Sequence, residues 1–445
     1  MRRALITCAI LLGSGAAHAG PLGELWRMKV RECPLYLPDT PGTLAISKEP
    51  AVTLYDRATG KRVRDVKVTP KPKKSLSATR LGDTLVLQDW NVSYTGVDPK
   101  TDAVRWRRDT PTKQGEKYWL LYPAGADGVL VRVDRKPTFS LELERFDGAT
   151  GRPRWTAKPP TARAQFETIV AGTRHTYLVT MDREPRGFTI VALDETGKPS
   201  WKIDDPIGDL PHFHVVGDDL VAVVSDVVRV FAGATGKVST WKLPWSPLYI
   251  VHGDTIYAQR ASAEILAFGG ATGTQRWVTP IADHSGLLLP LGVSNGSLYV
   301  KDGEQLRVLD AATGKLASTY GVAGMDRLKA WDTAPAITMC DTATKTLVAL
   351  DPSATATDHR VTISGRIICK NCKTPPHVTV GSVTTTADAS GKFSLEVTAR
   401  GRLSMVVTDD ESLLAAWVRK ITFDKDAKLK LGDVRVKMPV PNDLD

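Results

Sequence analysis

After its first twenty residues this chain has no long apolar run. No later stretch approaches the roughly 20 residues a helix needs to cross a bilayer, so no transmembrane segment is expected. Catalytic signatures are also missing. There is no Gly-x-Ser-x-Gly elbow, no phosphate-cradling glycine loop and no His-Glu-x-x-His. Carboxylates are plentiful, but nothing in the sequence pairs two of them for glycoside chemistry. Aromatic residues make up 7% and rarely interleave with basic ones, which argues against a nucleic-acid partner. Cysteine is scarce, with 5 among 445 residues. Strong helix formers do not dominate.

Glycine, proline, threonine and valine are frequent, as in chains of short strands joined by tight turns. The start reads as an export signal, residues 1–19. Arg2 and Arg3 precede the short apolar run "ALITCAILLGSG", and Ala17-His18-Ala19 is a small-x-small cleavage site, so the mature chain is expected to begin near Gly20. Losing Arg2 and Arg3 lowers the net charge from +10 to +8. A moderately basic exported protein meets anionic surfaces readily. Cys8 leaves with the signal. Cys33, Cys340, Cys369 and Cys372 remain, an even number that allows three disulfide pairings in an oxidising compartment.

One phrase recurs along most of the chain. It reads "LYDRATGKRVRDV" at 54–66, "GVDPKTDAVRW" at 96–106, "RFDGATGRPRW" at 145–155 and "ALDETGKPSW" at 192–201. Further copies are "VFAGATGKVSTW" at 230–241, "AFGGATGTQRW" at 267–277, "VLDAATGKLAST" at 308–319 and "ALDPSATATDH" at 349–359. The turn glycine falls at 60, 151, 197, 236, 273 and 314, with Asp102 and Thr355 in its place in the other two copies. Seven steps over 295 residues give a period of about 42, the length of a propeller blade of four short strands. A carboxylate such as Asp56, Asp147 or Asp310 at the end of an apolar strand can accept backbone N–H bonds two residues on. The glycine supplies positive φ without steric cost, Asp102 tolerates it, and the β-branched Thr355 does not. Trp106, Trp155, Trp201, Trp241 and Trp277 open the next strand, where an indole can seal the seam between sheets. Eight equivalent copies point to structure rather than to a ligand site.

The last copy lacks its tryptophan, whereas "LGELWRMKV" at 22–30 supplies one before the first full repeat. The N-terminal strand around Trp26 is therefore expected to complete the last blade, near 325–355, and so remove exposed strand edges. The fold expected is all-β, an eight-bladed propeller over 20–358 closed by the N-terminal strand, followed by a small β-sandwich over 359–445. Closure brings Cys33 toward Cys340, as a clasp on the ring.

The phrase "ALDETGKPSW" and its period resemble the pyrroloquinoline quinone-like (PQQ-like) β-propeller repeat, over about residues 20–358. The resemblance implies one of two groups. Quinoprotein dehydrogenases bind the quinone and calcium at the propeller centre. Non-catalytic exported propellers include the scaffold lipoprotein of the outer-membrane β-barrel assembly machinery. The dehydrogenases place a vicinal Cys-Cys disulfide beneath the cofactor, and some carry a haem motif. Here no Cys-Cys occurs, and Cys372 is followed by Lys373 rather than His. The lipobox of the scaffold lipoprotein is also missing. The expectation is thus a scaffold or binding protein without cofactor or metal, with the dehydrogenase as the alternative.

Beyond about residue 360 the phrase stops. About seven short strands are expected there, with turns at "KTPP", "ADASGK" and "ARG". "SGRI…VTV…TTTADASGKFSLEV…LGDVRV" resembles the carboxypeptidase regulatory-like, transthyretin-type module, usually an accessory domain. Cys369-x-x-Cys372 has no helix beside it for thioredoxin-like chemistry and only His377 nearby for zinc, so a local disulfide bracing a loop is expected.

His212-Phe-His214 places two imidazoles on one face of a strand near the channel, with His252 similarly placed in the next blade but in another register. Surface histidines without a shared partner are the expectation, and a metal pair is the alternative. Lys71, Lys73 and Lys74, in the densest basic segment, form with "RWRRD" at 105–109 a possible patch for anionic lipid or polysaccharide. The expected partners are proteins or anionic envelope polymers, bound by a monomeric periplasmic or secreted chain.

Overall fold

The computed structural model describes residues 23–437 apart from 31–32, 34–38, 41–42, 49–50, 67–75, 90–91, 111–116, 135–139, 160–164, 184–185, 206–211, 245–247, 261–262, 282–286, 323–327, 334–335, 342–344, 352–357, 371, 373, 382, 409–415 and 424. The expected export signal, Thr355 and Lys71, Lys73 and Lys74 lie outside the described residues. All described regular structure is β, with no helix.

Strands follow one another as antiparallel four-stranded sheets. Seven sheets use consecutive strands, within 39–65, 76–109, 117–157, 165–205, 212–242, 249–280 and 288–322. An eighth takes Leu328–Thr333, Ala336–Asp341 and Thr346–Asp351, and its fourth strand is Gly23–Lys29 from the other end of the chain. In that pairing Trp26 stands opposite Ala349 and Met28 opposite Leu347, as the missing tryptophan of the last repeat predicts.

Sequence pattern follows position within a sheet. Second strands, such as Thr84–Asp89, Thr255–Arg260 and Ser297–Asp302, are buried almost throughout because both faces meet neighbouring sheets, so they run apolar without alternation. Fourth strands are largely exposed, and in Val104–Asp109, Pro153–Ala157 and Gln275–Pro280 the tryptophan is the buried residue. Apolar clusters join each sheet to the next in chain order. One more cluster (Trp26, Leu44, Ile46, Cys340, Leu347 and Ala349) joins the eighth sheet to the first. The Cys33–Cys340 disulfide lies beside it, with a Cα separation of 5.8 Å and 307 residues between the cysteines.

Seven strands between His359 and Lys437 form two further sheets around one core that includes Ile363, Val378, Leu395 and Met405. One sheet has His359–Lys370 between Lys392–Ala399 and Ala427–Lys437. The other contains His377–Val380, Val383–Thr386, Gly401–Thr408 and Ala416–Phe423. Cys369 and Cys372 are disulfide-bonded, as the local spacing predicts. The second sheet continues the seventh sheet of the array. Gly321 and Val322 pair in parallel with Gly401 and Arg402, and the Gly321 amide donates to the Arg400 carbonyl at 2.8 Å. The Glu304 carboxylate accepts from the Ser404 amide at 2.6 Å and from its hydroxyl, and Ser404 is buried there.

Candidate functional site

The repeated polar residues serve the turns. Asp56 Oδ1 accepts from the Thr59 amide and hydroxyl at 2.8 and 2.7 Å, and Asp147, Asp194 and Asp310 do the same with Thr150, Thr196 and Thr313. Asp98 accepts from the amides of Lys100 and Thr101. Hydrogen bonds hold four of these carboxyls below the usual carboxylate range. The largest contributions come from Thr59 at Asp56, Arg105 at Asp98, the Thr150 amide at Asp147 and Thr196 at Asp194. The six turn glycines all have φ between +63° and +81°, and Asp102, in the same place, has +61°.

Each tryptophan reaches across a seam. The rings of Trp26, Trp106, Trp155, Trp201, Trp241 and Trp277 lie on the turn glycines of the following sheet, at 60, 151, 197, 236, 273 and 314. A methyl group on any of these glycines would meet its neighbours at 2.5–2.8 Å. Glycine is therefore needed twice over, for its backbone angle and for the ring above it. Five of the six indoles donate to the carbonyl three residues before that glycine: Trp26 to Arg57, Trp106 to Gly148, Trp201 to Gly233, Trp241 to Gly270 and Trp277 to Ala311. Trp155 Nε1 is buried without an acceptor. Its target turn, Asp194-Glu-Thr-Gly197, is one residue shorter, so the equivalent carbonyl belongs to Asp194 and already accepts from the Gly197 amide.

With these residues occupied, a cleft of about 410 Å³ stands out, lined by the first strands of the fifth, sixth and seventh sheets. His212 and His214 come from His212–Val216 of the fifth sheet, Tyr249 to His252 from the sixth, and Leu291 to Val293 from the seventh. The two histidines do share a partner, contrary to the expectation of isolated surface residues. Both rings meet Tyr249 edge-on, at 6.4 and 6.0 Å between centroids. Burial, with a smaller contribution from His212, lowers His214 to about 4, and burial raises Tyr249 to about 12. Both are therefore neutral at pH 7. His214 Nε2 and the Tyr249 hydroxyl are buried without protein partners. Tyr249 was not singled out in the sequence. The alignment of "HFHVVGD" with "LYIVHGD" places it opposite Phe213 and could have found it.

Among the described residues no three His, Cys, Asp or Glu side chains come together to hold a metal ion. The four mature-chain cysteines form two disulfides, neither between adjacent residues. At "RWRRD" the arginines have carboxylate partners. Arg105 pairs with Asp98, Arg107 with Asp109 and Arg108 with Glu144.

The chain is similar in structure to BamB from Moraxella catarrhalis, with 15% identity, a TM-score of 0.46 and coverage of 74% of this chain and 99% of that one. It is also similar to the computationally designed Ika8 protein, with 11% identity, a TM-score of 0.49 and coverage of 73% and 99%. A third similarity is to the quinohemoprotein alcohol dehydrogenase ADHIIG from Pseudomonas putida HK5, with 11% identity, a TM-score of 0.48 and coverage of 78% of each chain. No curated protein matches the sequence. The family model described as outer membrane protein assembly factor BamB matches in overlapping segments, 48–184, 92–242, 142–287 and 186–352, and the chain belongs to that family.

Proposed function

We propose that this is an exported, non-catalytic binding protein of the cell envelope, working as a monomer. Its sheets would be the blades of a closed eight-bladed propeller over 20–358, followed by a transthyretin-type module over 359–445. The strand Gly23–Lys29 in the eighth sheet, the cluster joining that sheet to the first and the Cys33–Cys340 bond support closure. Family membership and two disulfides support a place outside the cytoplasm.

The observation that carries the binding reading is the cleft at His212, His214 and Tyr249. It sets the neutral side chains of His214 and Tyr249 beside an apolar wall of Ile250, Val251, Leu291 and Val293. Such a cleft suits an apolar or aromatic side chain of a protein partner better than a reacting substrate. A photoreactive amino acid at position 249, in cells of the source organism, is expected to give one discrete protein adduct, lost when Leu291 is replaced by Asp. Titration with pyrroloquinoline quinone and calcium is expected to leave absorbance and melting temperature unchanged. Saturable cofactor binding with dye reduction would replace this reading with the dehydrogenase one.

A further inference from the structure

The sheet of the C-terminal sandwich that does not join the array has one face against the core and one face outward. Alternation sorts its residues cleanly. Val361, Ile363 and Ile367 point inward with Phe393, Leu395 and Val397, while Lys428, Lys430, Arg435 and Lys437 are exposed on the neighbouring strand. The registers place outward residues side by side: Thr362 with Lys428, Ser364 with Lys430, Ile368 with Arg435 and Lys370 with Lys437. On the other side Arg366 stands opposite Lys392.

The outward face is therefore strongly basic. Among the described residues its carboxylates are Glu396, already paired with Arg360 at 2.5 Å, Asp433, opposite Arg366, and Asp388, in the turn before Lys392 and interacting with it. Asp426, at the edge, accepts from the Arg360 amide. Lys370, Lys428, Lys430, Arg435 and Lys437 remain for an outside partner. Protecting a sheet edge from pairing needs only a charge or two; here basic residues extend across three strands. Strand spacing of about 4.8 Å and a repeat of about 6.8 Å between outward residues make the cations a two-dimensional grid. Ile368, an exposed large hydrophobic residue, sits within it next to Arg435, and the Cys369–Cys372 bond braces the strand end beside it.

We infer that this face docks the protein on an anionic lipid bilayer. A flat grid of cations matches a plane of lipid phosphates, each Lys or Arg adding to surface attraction, and an apolar side chain among them suits the headgroup boundary. The described outward positions carry no aromatic residue on which bases could stack, and the face is a plane rather than a groove for a linear polyanion. The inference is independent of what the propeller cleft holds.

The test is co-sedimentation of the full mature chain with vesicles. Binding is expected to vesicles of 40% phosphatidylglycerol in phosphatidylcholine, to be absent from pure phosphatidylcholine, and to be lost in 0.5 M NaCl. Charge reversal at Lys428, Lys430, Arg435 and Lys437 is expected to weaken binding at least tenfold. The same number of reversals at the exposed Lys198, Lys237, Lys242 and Lys315 of the array is expected to change it less than threefold. Replacement of the four face residues by Gln gives a milder variant whose unchanged melting temperature certifies folding. Equal loss in the two reversal sets, equal binding to neutral vesicles, or binding to soluble heparin without binding to either vesicle would each overturn the inference.

Discussion

Arg64 of the first sheet reaches the turn of the second, where its guanidinium pairs with the Asp102 carboxylate and donates to the Pro99 carbonyl at 2.7 Å. Pro99 stands three residues before the turn position, where five other seams present a carbonyl to an indole. Arg64 therefore replaces the tryptophan and Asp102 replaces the glycine. The two departures from the repeat occur together because a ring cannot lie over a Cβ, whereas a guanidinium can meet a carboxylate.

Arg64→Trp alone is expected to destabilise the protein by about 1–3 kcal/mol through overpacking against Asp102. Asp102→Gly alone leaves the guanidinium without its carboxylate. The double variant restores the common seam, so the two changes should couple favourably by about 1–2 kcal/mol in urea unfolding. Simple additivity would show that the seam does not depend on this exchange.

Gly151→Ala and Gly253→Ala both place a side chain at positive φ, +68° and +57°. Only the first meets a ring, with Trp106 at 2.6 Å, while nothing lies within 4 Å of the second. Gly253→Ala is expected to cost about 1–2 kcal/mol from the backbone alone, and Gly151→Ala at least about 2 kcal/mol more. Equal losses would deny the ring its part.

Trp106→Phe removes an indole and a hydrogen bond to Gly148, whereas Trp155→Phe removes an indole whose N–H has no acceptor. The difference should be about 1 kcal/mol, with Trp106 the more sensitive. Chemical denaturation of the pair measures it directly.

His214 titrates near 4 in the folded chain against about 6.5 unfolded. The unfolded state binds the proton first, so stability is intact above about pH 6.5 and falls as pH drops toward 4, by up to about 3 kcal/mol. His214→Leu should flatten the melting temperature over that interval. An unchanged slope would mean that another group carries it.

Removing the Cys33–Cys340 bond opens a loop closed over 307 residues, and removing Cys369–Cys372 opens one closed over 3. Chain entropy assigns about 6 kcal/mol to the first and about 2 kcal/mol to the second. Cys33→Ser/Cys340→Ser is therefore expected to lower the melting temperature more than Cys369→Ser/Cys372→Ser, as differential scanning calorimetry would show.

The sequence by itself determined the sheets, their turns and the return of the first strand to the last sheet. Each of these rests on local chemistry: alternation along a strand, an Asp that binds its own turn, a glycine at positive φ, and a missing tryptophan supplied at the far end. It also brought Cys33 toward Cys340 and led to the expectation of a local Cys369–Cys372 bond, while the first bond itself came from the structure. Only the tertiary structure decided where each indole lands, because the glycine beneath it belongs to the next repeat. The same holds for Tyr249 between two histidines of a neighbouring sheet and for Glu304 holding Ser404, 100 residues away. The basic face at Lys428 and Lys430 also emerged only when three separate strands were set in register. Periodicity specifies which side of its own strand a residue occupies. What stands opposite is settled by how neighbouring sheets twist and pack, and no single segment encodes that.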